Sequence, residues 1–167
     1  MEKVYHTFDA YYNDDSEILI LGSIPSVKSR ELGFYYMHPQ NKFWLVLSKV
    51  FNEEIGLSIE QKKEFLKRHK IALWDVLYSC EINGSSDVSI KNIEVNDIKL
   101  MLEKTHIKRI YTTGRKAYEL YNKYCFNNVG IEAKCLFSTS PANCRIKLEE
   151  LVENYQVINN KWYNYKR

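Results

Sequence analysis

Short apolar runs and amphipathic stretches alternate along this chain. The apolar runs, rich in aliphatic, β-branched or aromatic residues, predict strands at 18–21, 71–74, 109–112, 133–137 and 156–158. Elsewhere, apolar residues recur with the 3.6-residue period of a helix that buries one face. These stretches predict helices at 41–51, 60–69, 97–103, 115–124 and 142–154.

Residues that favour a helix start precede three of the predicted helices. They are Asn96, Gly114 and the pair Ser140-Pro141. Parallel strands need crossover connections, so strands that alternate with helices favour a parallel sheet covered on both faces. We therefore expect a three-layer α/β/α fold with a central, mostly parallel sheet of four to five strands, in a single domain over residues 1–167.

The composition is that of an ordinary globular protein with a small excess of positive charge. Of the 167 residues, 45% are hydrophobic, enough for a core, and the net charge is +3. This excess permits a surface for an anionic partner without demanding one. Because the first residues lack the apolar region of a signal peptide and no run approaches 18 apolar residues, we expect a cytoplasmic protein without membrane association. We also expect a monomer.

The cysteines give no sign of a metal centre. They are widely spaced and include no C-x-x-C pair, so neither a zinc site nor an iron–sulfur cluster is indicated. Their positions are Cys80, Cys125, Cys135 and Cys144. Reduced and mostly buried thiols are the expectation. Since the dinucleotide and P-loop glycine motifs are also absent, the sequence predicts no metal and no cofactor.

Polar and small residues follow four of the predicted strands. Parallel α/β sheets bind their ligands outside the carboxyl ends of the strands, where such loops converge. The converging segments are 22–26, Asp75, 112–114 and 138–143. We therefore predict one cleft bordered by all four segments. The residues expected around it include Gly22, Asp75, Gly114 and Ser140.

The segment 22–44 combines glycine, proline, histidine, asparagine and several aromatic residues directly after the first predicted strand. This composition is too unusual for a plain connector. Gly22 and Pro25 indicate a tight turn, while the following tyrosines offer flat amphipathic faces. Asn41 begins a predicted helix, whose N-terminus favours negative charge. We expect the segment to form one wall of the cleft.

Four motifs in these segments resemble the uracil-DNA glycosylase superfamily. They are G-S-I-P-S at 22–26, Y-Y-M-H-P-Q-N-K-F-W at 35–44, A-L-W-D-V-L at 72–77 and S-T-S-P-A-N at 138–143. Over nearly the whole chain, the sequence is most similar to the hypoxanthine-DNA (deoxyinosine) glycosylase branch. The resemblance implies the α/β/α fold already expected and a monofunctional enzyme. Such an enzyme flips a deaminated base out of single- or double-stranded DNA and hydrolyses its N-glycosidic bond.

Ile24 distinguishes the chain from several branches of that superfamily. Mismatch-specific and single-strand-selective relatives carry a water-positioning asparagine at this place in the turn, and isoleucine cannot form hydrogen bonds. The first-motif aspartate of conventional uracil-DNA glycosylases is missing as well. Because the deoxyinosine branch also lacks the turn asparagine, Ile24 favours hypoxanthine as the base. Excision of uracil or of a mismatched base is the alternative.

The resemblance places the essential asparagine of this branch at Asn41. Breaking the bond develops positive charge on the sugar and negative charge on the base, so the site must orient a water molecule. The side-chain carbonyl of Asn41 could accept a hydrogen bond from that water. Asn41 is also a good cap for the following helix, and the two roles are compatible.

The resemblance also indicates the residues that bind the base. They are Gly22, Ser23, Ile24, Pro25, Tyr35, Tyr36, Asp75 and Ser140. Asp75 stands where many members read the base with asparagine, and its carboxylate could accept from hypoxanthine N1–H, or instead cap a helix or bond Ser79. Tyr35 or Tyr36 could stack on the base, or both could belong to the core. Ser140 replaces a histidine of conventional uracil glycosylases, so this loop offers less stabilisation of an anionic base.

The loop that begins at Ser138 lies where relatives insert a wedge into the gap left by the base. Phosphate and sugar contacts are expected from residues around it. This set is His38, Lys42, Ser138, Pro141, Asn143, Cys144, Arg145 and Lys147; further cationic candidates are Lys28, Arg30 and Arg115. A structural hydrogen bond is the alternative for His38, and scattered cations are often only solvated surface.

Two other function classes compete with this interpretation. A nucleic-acid-binding module without catalysis would keep the basic loops but not need Asn41. A serine hydrolase built on Ser23 or Ser26 would need a G-x-S-x-G elbow, and G-S-I-P-S is not one. The aromatic and basic segment 159–167, which includes Trp162, suits either nucleic acid or a docked C-terminal strand.

Overall fold

The computed structural model describes residues 1–84 and 86–159 of the chain. The strands in this part are β1 (Glu2–Tyr5), β2 (Ile18–Gly22), β3 (Ile71–Asp75), β4 (Leu77–Ile82), β5 (Lys91–Val95), β6 (Arg109–Thr113) and β7 (Ala133–Leu136). The α-helices are α1 (Val27–Leu32), α2 (Phe43–Phe51), α3 (Ile59–Arg68), α4 (Ile98–Glu103), α5 (Arg115–Tyr124), α6 (Phe126–Val129) and α7 (Leu148–Tyr155).

Within the described residues, four parallel strands form the central sheet in the order β3-β2-β6-β7. They confirm the first four strands predicted from the sequence, each to within one residue at either end. Strand β2 is buried at every position because it lies inside the sheet, between layers that cover both faces. Gly22 pairs in register with Asp75, and Thr113 pairs with Leu136. The carboxyl ends of the strands therefore meet at one edge.

The side chains of β2 alternate between two hydrophobic cores, one on each face of the sheet. Ile18 and Ile20 join the core formed with α2, α3 and α7. Leu19 and Leu21 join the core formed with α4 and α5. This arrangement confirms the three-layer α/β/α architecture expected from the sequence.

A second sheet, which the sequence patterns do not predict, packs beside α4 and α5. It is antiparallel, with the strand order β1-β4-β5. Strand β4 buries Leu77, Cys80 and Ile82 in the same core as those helices, whereas β5 has no fully buried side chain. The two strands at the margins of this sheet lack a regular apolar alternation, so only their pairing with β4 identifies them.

Near the C-terminus, one predicted element is wrong and another begins later than predicted. Residues 156–158 form a 3₁₀ turn rather than a strand, because the backbone continues directly from α7 in helical geometry. The helix predicted at 142–154 begins only at Leu148. The preceding residues instead close hydrogen-bonded turns, and Glu149 and Glu150 supply the negative charge that favours a helix start at the later position.

Helix starts elsewhere also refine the predictions. Asn96 is not the cap of α4, because Asp97 takes that role and its Oδ1 accepts from Leu100 N–H at 3.1 Å. Asn96 instead donates to the backbone carbonyls of Asp75 and Leu77, at 2.9 and 3.1 Å. Gly114 precedes α5 as predicted, with a φ of +90°.

The segment that contains Trp162 lies outside the described residues, so its predicted role is left as a prediction. In the described part of the chain, none of the helices combines the length and the apolar character needed to cross a bilayer.

Candidate active site

A cavity of about 790 Å³ opens at the carboxyl edge of the central sheet. Its wall combines the ends of β2 and β3, the turn after β6 and the loop after β7 with part of α1, the segment between α1 and α2, and part of the loop between β4 and β5. The structure thus confirms that the four predicted segments converge. The residues expected to mark the convergence all line the wall; they are Gly22, Asp75, Gly114 and Ser140.

The other predicted site residues divide into two groups around this cavity. Those on its wall are Ser23, Ile24, Pro25, Tyr35, Tyr36, Asn41, Ser138 and Asn143. Those outside the wall are His38, Lys42, Pro141, Cys144, Arg145 and Lys147. Cys144, Arg145 and Lys147 are exposed on the segment that leads from the cavity rim to α7. Every residue predicted to bind the base therefore lines the cavity, whereas most of those predicted to contact DNA lie beyond it.

Asn41 lies half-buried on the cavity wall, two residues before α2 begins. Its Oδ1 accepts a hydrogen bond from the backbone N–H of Phe43 at 2.9 Å. This bond satisfies a free N–H group at the helix start and fixes the orientation of the amide. The second lone pair of Oδ1 and the Nδ2 hydrogens make no hydrogen bond to a described residue, so they can serve a ligand in the cavity.

Gly22 allows a carboxylate and a phenol to come together at the cavity floor. A Cβ atom on residue 22 would lie 2.3 Å from Asp75 Oδ1 and 3.3 Å from the Tyr36 hydroxyl oxygen. The shorter separation is too small for two non-bonded atoms, so any larger residue would displace the carboxylate.

Asp75 is a buried carboxylate with one side-chain partner among the described residues. Only 3% of the residue is exposed, and its Oδ2 lies 2.8 Å from Nε2 of His6. The local alternatives considered for Asp75 do not occur: it caps no helix, and the buried hydroxyl of Ser79 has no hydrogen-bond partner in the described chain. Because an unpaired buried carboxylate is costly, the bond to His6 is a strong structural constraint.

The two tyrosines have different environments. Tyr35 is only 2% exposed, and its hydroxyl donates to the backbone carbonyl of Asp9 at 3.1 Å. Tyr36 is partly exposed, stacks on Phe43 with ring centroids 3.9 Å apart, and is hydrogen-bonded to Thr113 Oγ1 at 3.0 Å. Of the pair, Tyr36 is therefore the ring that can present surface to a base.

The backbone conformation of Tyr36 and the neutral hydroxyls of both tyrosines fit a cavity wall that is already formed before a ligand binds. Tyr36 has a φ of +55°, a conformation that non-glycine residues rarely adopt and that often accompanies a functional constraint. Burial, followed by the charge of Asp75, raises the pKa of Tyr35 and of Tyr36 above the usual phenol value. Both hydroxyls therefore stay neutral over the physiological range.

The loop after β7 is held by its own side chains. Ser138 Oγ accepts from the backbone N–H of Ser140, and Ser140 Oγ accepts from the backbone N–H of Ala142, both at 3.2 Å. Asn143 Nδ2 donates to the carbonyl of Ser138 at 3.0 Å. The backbone N–H of Lys42 donates to the carbonyl of Thr139, which joins this loop to the segment of Asn41.

His38 and the additional cations have mostly local contacts. His38 Nδ1 accepts from the backbone N–H of Gln40 at 3.1 Å, as in the structural alternative considered for it. Lys28 pairs with Glu31 at 3.6 Å. Arg30 and Arg115 line the cavity, so they are the cations nearest to a ligand within it.

His6 and Thr113 are site residues that the sequence reasoning did not single out. A signal for His6 exists, because it lies two positions after buried Val4 and so faces the same side of the N-terminal strand. Thr113 belongs to a predicted cleft segment, but its bond to Tyr36 appears only in the folded chain. Asp87, in the loop between β4 and β5, also lines the cavity.

The arrangement suits a planar ligand with a polar edge. Asp75 offers an acceptor at the floor, Tyr36 offers ring surface, and Asn41 can hold a water molecule at the side of the cavity. Within residues 1–84 and 86–159, no cluster of three or more His, Cys, Asp or Glu side chains is placed to hold a metal ion.

Comparison with known sequences gives a consistent set of relatives. The family model described as the Uracil DNA glycosylase superfamily matches residues 10–162. A hypoxanthine DNA glycosylase of Methanosarcina barkeri (strain Fusaro) is 34% identical over 140 residues, which cover 83% of this chain and 87% of the relative. A hypoxanthine DNA glycosylase of Methanosarcina acetivorans is 37% identical over 142 residues, with the same coverage of both chains.

A solved structure has the same fold. The solution NMR structure of a candidate uracil DNA glycosylase from Methanosarcina acetivorans superimposes with a TM-score of 0.76 at 34% sequence identity. The match covers 90% of this chain and 96% of the other.

Proposed function

The chain belongs to the uracil DNA glycosylase superfamily, and we propose that it releases hypoxanthine from deoxyinosine in DNA by hydrolysing the N-glycosidic bond. The observation that carries the proposal is that Asn41 and Asp75, from segments far apart in sequence, line one cavity at the carboxyl edge of the sheet. Asn41 is suited to hold the attacking water, and Asp75 is suited to bind the base.

The chemistry of Asp75 favours a purine whose ring nitrogen N1 carries a hydrogen. Hypoxanthine carries N1–H and the acceptor O6, whereas adenine carries a lone pair at N1. An ionised Asp75 accepts a hydrogen bond from N1–H of hypoxanthine, but it repels the lone pair at N1 of adenine. Deamination of adenine therefore converts a base that the cavity rejects into one that it binds.

Asn41 is suited to act on the water that attacks the sugar. Its amide is held by the bond to Phe43 N–H, so little reorganisation is needed when water binds. As the bond breaks, positive charge develops on the sugar, and an oriented water attacks that carbon. Water as the nucleophile leaves an abasic site with an intact strand, so we propose a monofunctional glycosylase.

Two features support hypoxanthine over other bases. The relatives that match over most of this chain are hypoxanthine DNA glycosylases. Ile24 lines the cavity in the turn after β2, where it offers no hydrogen bond to a water molecule and leaves that task to Asn41.

Uracil is the second candidate base because of the same carboxylate. Its N3–H group could donate to Asp75 as the N1–H group of hypoxanthine does. The pyrimidine ring is smaller, however, and would cover less of the Tyr36 ring.

A panel of duplex and single-stranded oligonucleotides tests the proposal. Each carries one hypoxanthine, uracil, xanthine or mismatched thymine, with an undamaged adenine duplex as control. We expect hypoxanthine to be released roughly tenfold or more faster than uracil, and adenine not at all. Strands should break only after alkali treatment.

The outcomes separate the alternatives. Faster release of uracil would replace hypoxanthine with the second candidate. If the protein binds DNA but produces no abasic sites, it is a nucleic-acid-binding module without catalysis. Strand breaks before alkali would contradict a monofunctional enzyme.

A further inference from the structure

We propose that His6 is a positioning residue that holds Asp75 as a hydrogen-bond acceptor and so determines which bases the cavity selects. The inference rests on the proposed function, because it names the part of the site that distinguishes hypoxanthine from adenine. It begins from the buried contact between His6 Nε2 and Asp75 Oδ2, at 2.8 Å.

The two carboxylate oxygens of Asp75 have different surroundings, one beside His6 and the other at the cavity. Oδ2 faces His6, while Oδ1 lies over the Cα atom of Gly22 at the cavity floor. Among the described residues no other side chain hydrogen-bonds to this carboxylate. An ionised carboxylate has only acceptor sites, so Nε2 of His6 carries the hydrogen of this contact. Oδ1 is then left to accept a hydrogen bond from a base.

The ring of His6 is held in place from several sides. Its backbone N–H donates to the carbonyl of Tyr78 at 2.7 Å and extends the pairing of β1 with β4. Phe8 packs on the ring with centroids 4.7 Å apart, and Tyr35 packs on it at 5.8 Å. Only 2% of the His6 side chain is exposed. The donor direction is thus set by packing before any base arrives.

No other group near Asp75 provides comparable support for its charge. The neighbouring phenols of Tyr35 and Tyr36 are kept neutral by burial, and neither donates a hydrogen bond to Asp75. The described residues include no lysine or arginine within ion-pair distance of it. Asp9, the other acid near Tyr35, is exposed. The contact with His6 is therefore the side-chain hydrogen bond that fixes the orientation of this carboxylate.

The ionised carboxylate selects bases by whether N1 of the ring carries a hydrogen. It accepts from N1–H of hypoxanthine but places two acceptors face to face when N1 bears a lone pair, as in adenine. A protonated Asp75 would donate to that lone pair and lose the distinction. By holding Oδ2 and aiming Oδ1, His6 affects selectivity without touching the base.

Two matched substrates separate selection from general activity. One duplex carries deoxyinosine and the other carries deoxynebularine, a purine nucleoside whose N1 bears a lone pair and no hydrogen. The two bases also differ at C6, where only hypoxanthine carries an oxygen, so it is the change in the ratio of kcat/KM between the wild type and a residue-6 variant that reports the contribution of the acceptor. A damaged fold lowers kcat/KM on both substrates together. Loss of the acceptor on Asp75 lowers only kcat/KM on deoxyinosine.

The variants change the donor at residue 6. His6→Phe keeps an aromatic ring but has no donor, and His6→Met is a second donor-free variant in case the first does not fold. For both, we expect kcat/KM on deoxyinosine to fall on the order of tenfold, with a smaller change on deoxynebularine. His6→Gln retains an N–H donor and should recover most of the ratio. Phe8→Leu loosens the packing on the same ring but keeps the donor, so it should change the ratio less than the donor-free variants do.

The results distinguish this inference from the proposed function. If the wild-type protein releases no hypoxanthine, the proposed function fails and this inference fails with it. If the wild-type protein is active but the donor-free variants keep its substrate ratio, or lose activity equally on both substrates, His6 is only a structural residue. A reduced ratio that His6→Gln restores, in folded proteins, supports the positioning role.

Discussion

At the scale of single residues, the site depends on close contacts that leave no room for larger side chains. Gly22 is the clearest case, because Asp75 Oδ1 lies where its Cβ would be. The backbone of Gly22 does not require glycine, since its φ is not positive. Glycine is needed here for space alone, so a substitution should affect the cavity floor before it affects the chain path.

Gly22→Ala should therefore displace the carboxylate of Asp75. Overpacking of a tight site costs about 1–3 kcal/mol of stability, and the base would lose its acceptor. We expect hypoxanthine release to fall roughly tenfold or more in a protein that still folds. Thermal melts and single-turnover excision measure the two effects separately. Wild-type excision and a wild-type melting temperature together would mean that the contact does not constrain the site.

The sequence could predict some of these residues and not others. Gly22, Asn41 and Asp75 follow strand ends or precede a helix, so the rule for parallel sheets placed them at one cleft. His6 directly follows β1, a strand of another sheet, and only the tertiary structure brings it to Asp75. The distinction between Tyr35 in the core and Tyr36 at the cavity also needs the fold, because the two are adjacent and chemically identical.

At the scale of elements, the loop between β7 and α7 connects the cavity to an exposed basic segment. Side-chain hydrogen bonds shape residues 138–143, and Arg145 and Lys147 follow on the surface before α7. A preshaped loop beside exposed cations is suited to contact the DNA backbone around a flipped base.

Arg145→Glu should weaken binding to every DNA sequence alike, because phosphate contacts carry no sequence information. We expect the slope of log affinity against log salt concentration to become shallower by about 1 or more. Lys67→Glu is the matched control, since Lys67 is exposed near the start of β3, at the opposite edge of the sheet. If the two variants weaken DNA binding equally, the loss of affinity reflects net charge alone. The segment that carries Arg145 is then not a DNA contact.

Element boundaries were the least predictable part of the fold. The parallel strands were recognised because continuous apolar runs mark buried strands. The helix before the C-terminus was placed six residues too early, since the pair Ser140-Pro141 favours a helix start but here supports a turn. Strand β5 has no fully buried side chain, and its apolar pattern is limited to Ile93 and Val95.

At the scale of the whole molecule, the central sheet brings distant parts of the chain to one edge. The cavity collects residues from the turn after β2 to the loop after β7, and its floor is supported by His6 near the N-terminus. Two cores, one on each face, hold the strand ends in register. A rigid sheet with polar residues in its loops allows the cavity and the exposed basic segment to form side by side.

The central claim is that Asn41 orients the water that releases hypoxanthine, and single-turnover excision on a deoxyinosine duplex tests it most directly. Asn41→Ala should slow release by about a hundredfold or more, as expected when an orienting group of the transition state is lost. Because Asn41 also bonds the start of α2, the variant should lose about 1 kcal/mol of stability.

Asp97→Ala is the matched control for this measurement. Asp97 caps α4, which does not line the cavity, and its loss should cost a similar stability without slowing excision. The account predicts a folded Asn41→Ala protein that is nearly inactive beside a fully active Asp97→Ala protein. Wild-type rates of hypoxanthine release from folded Asn41→Ala would contradict it.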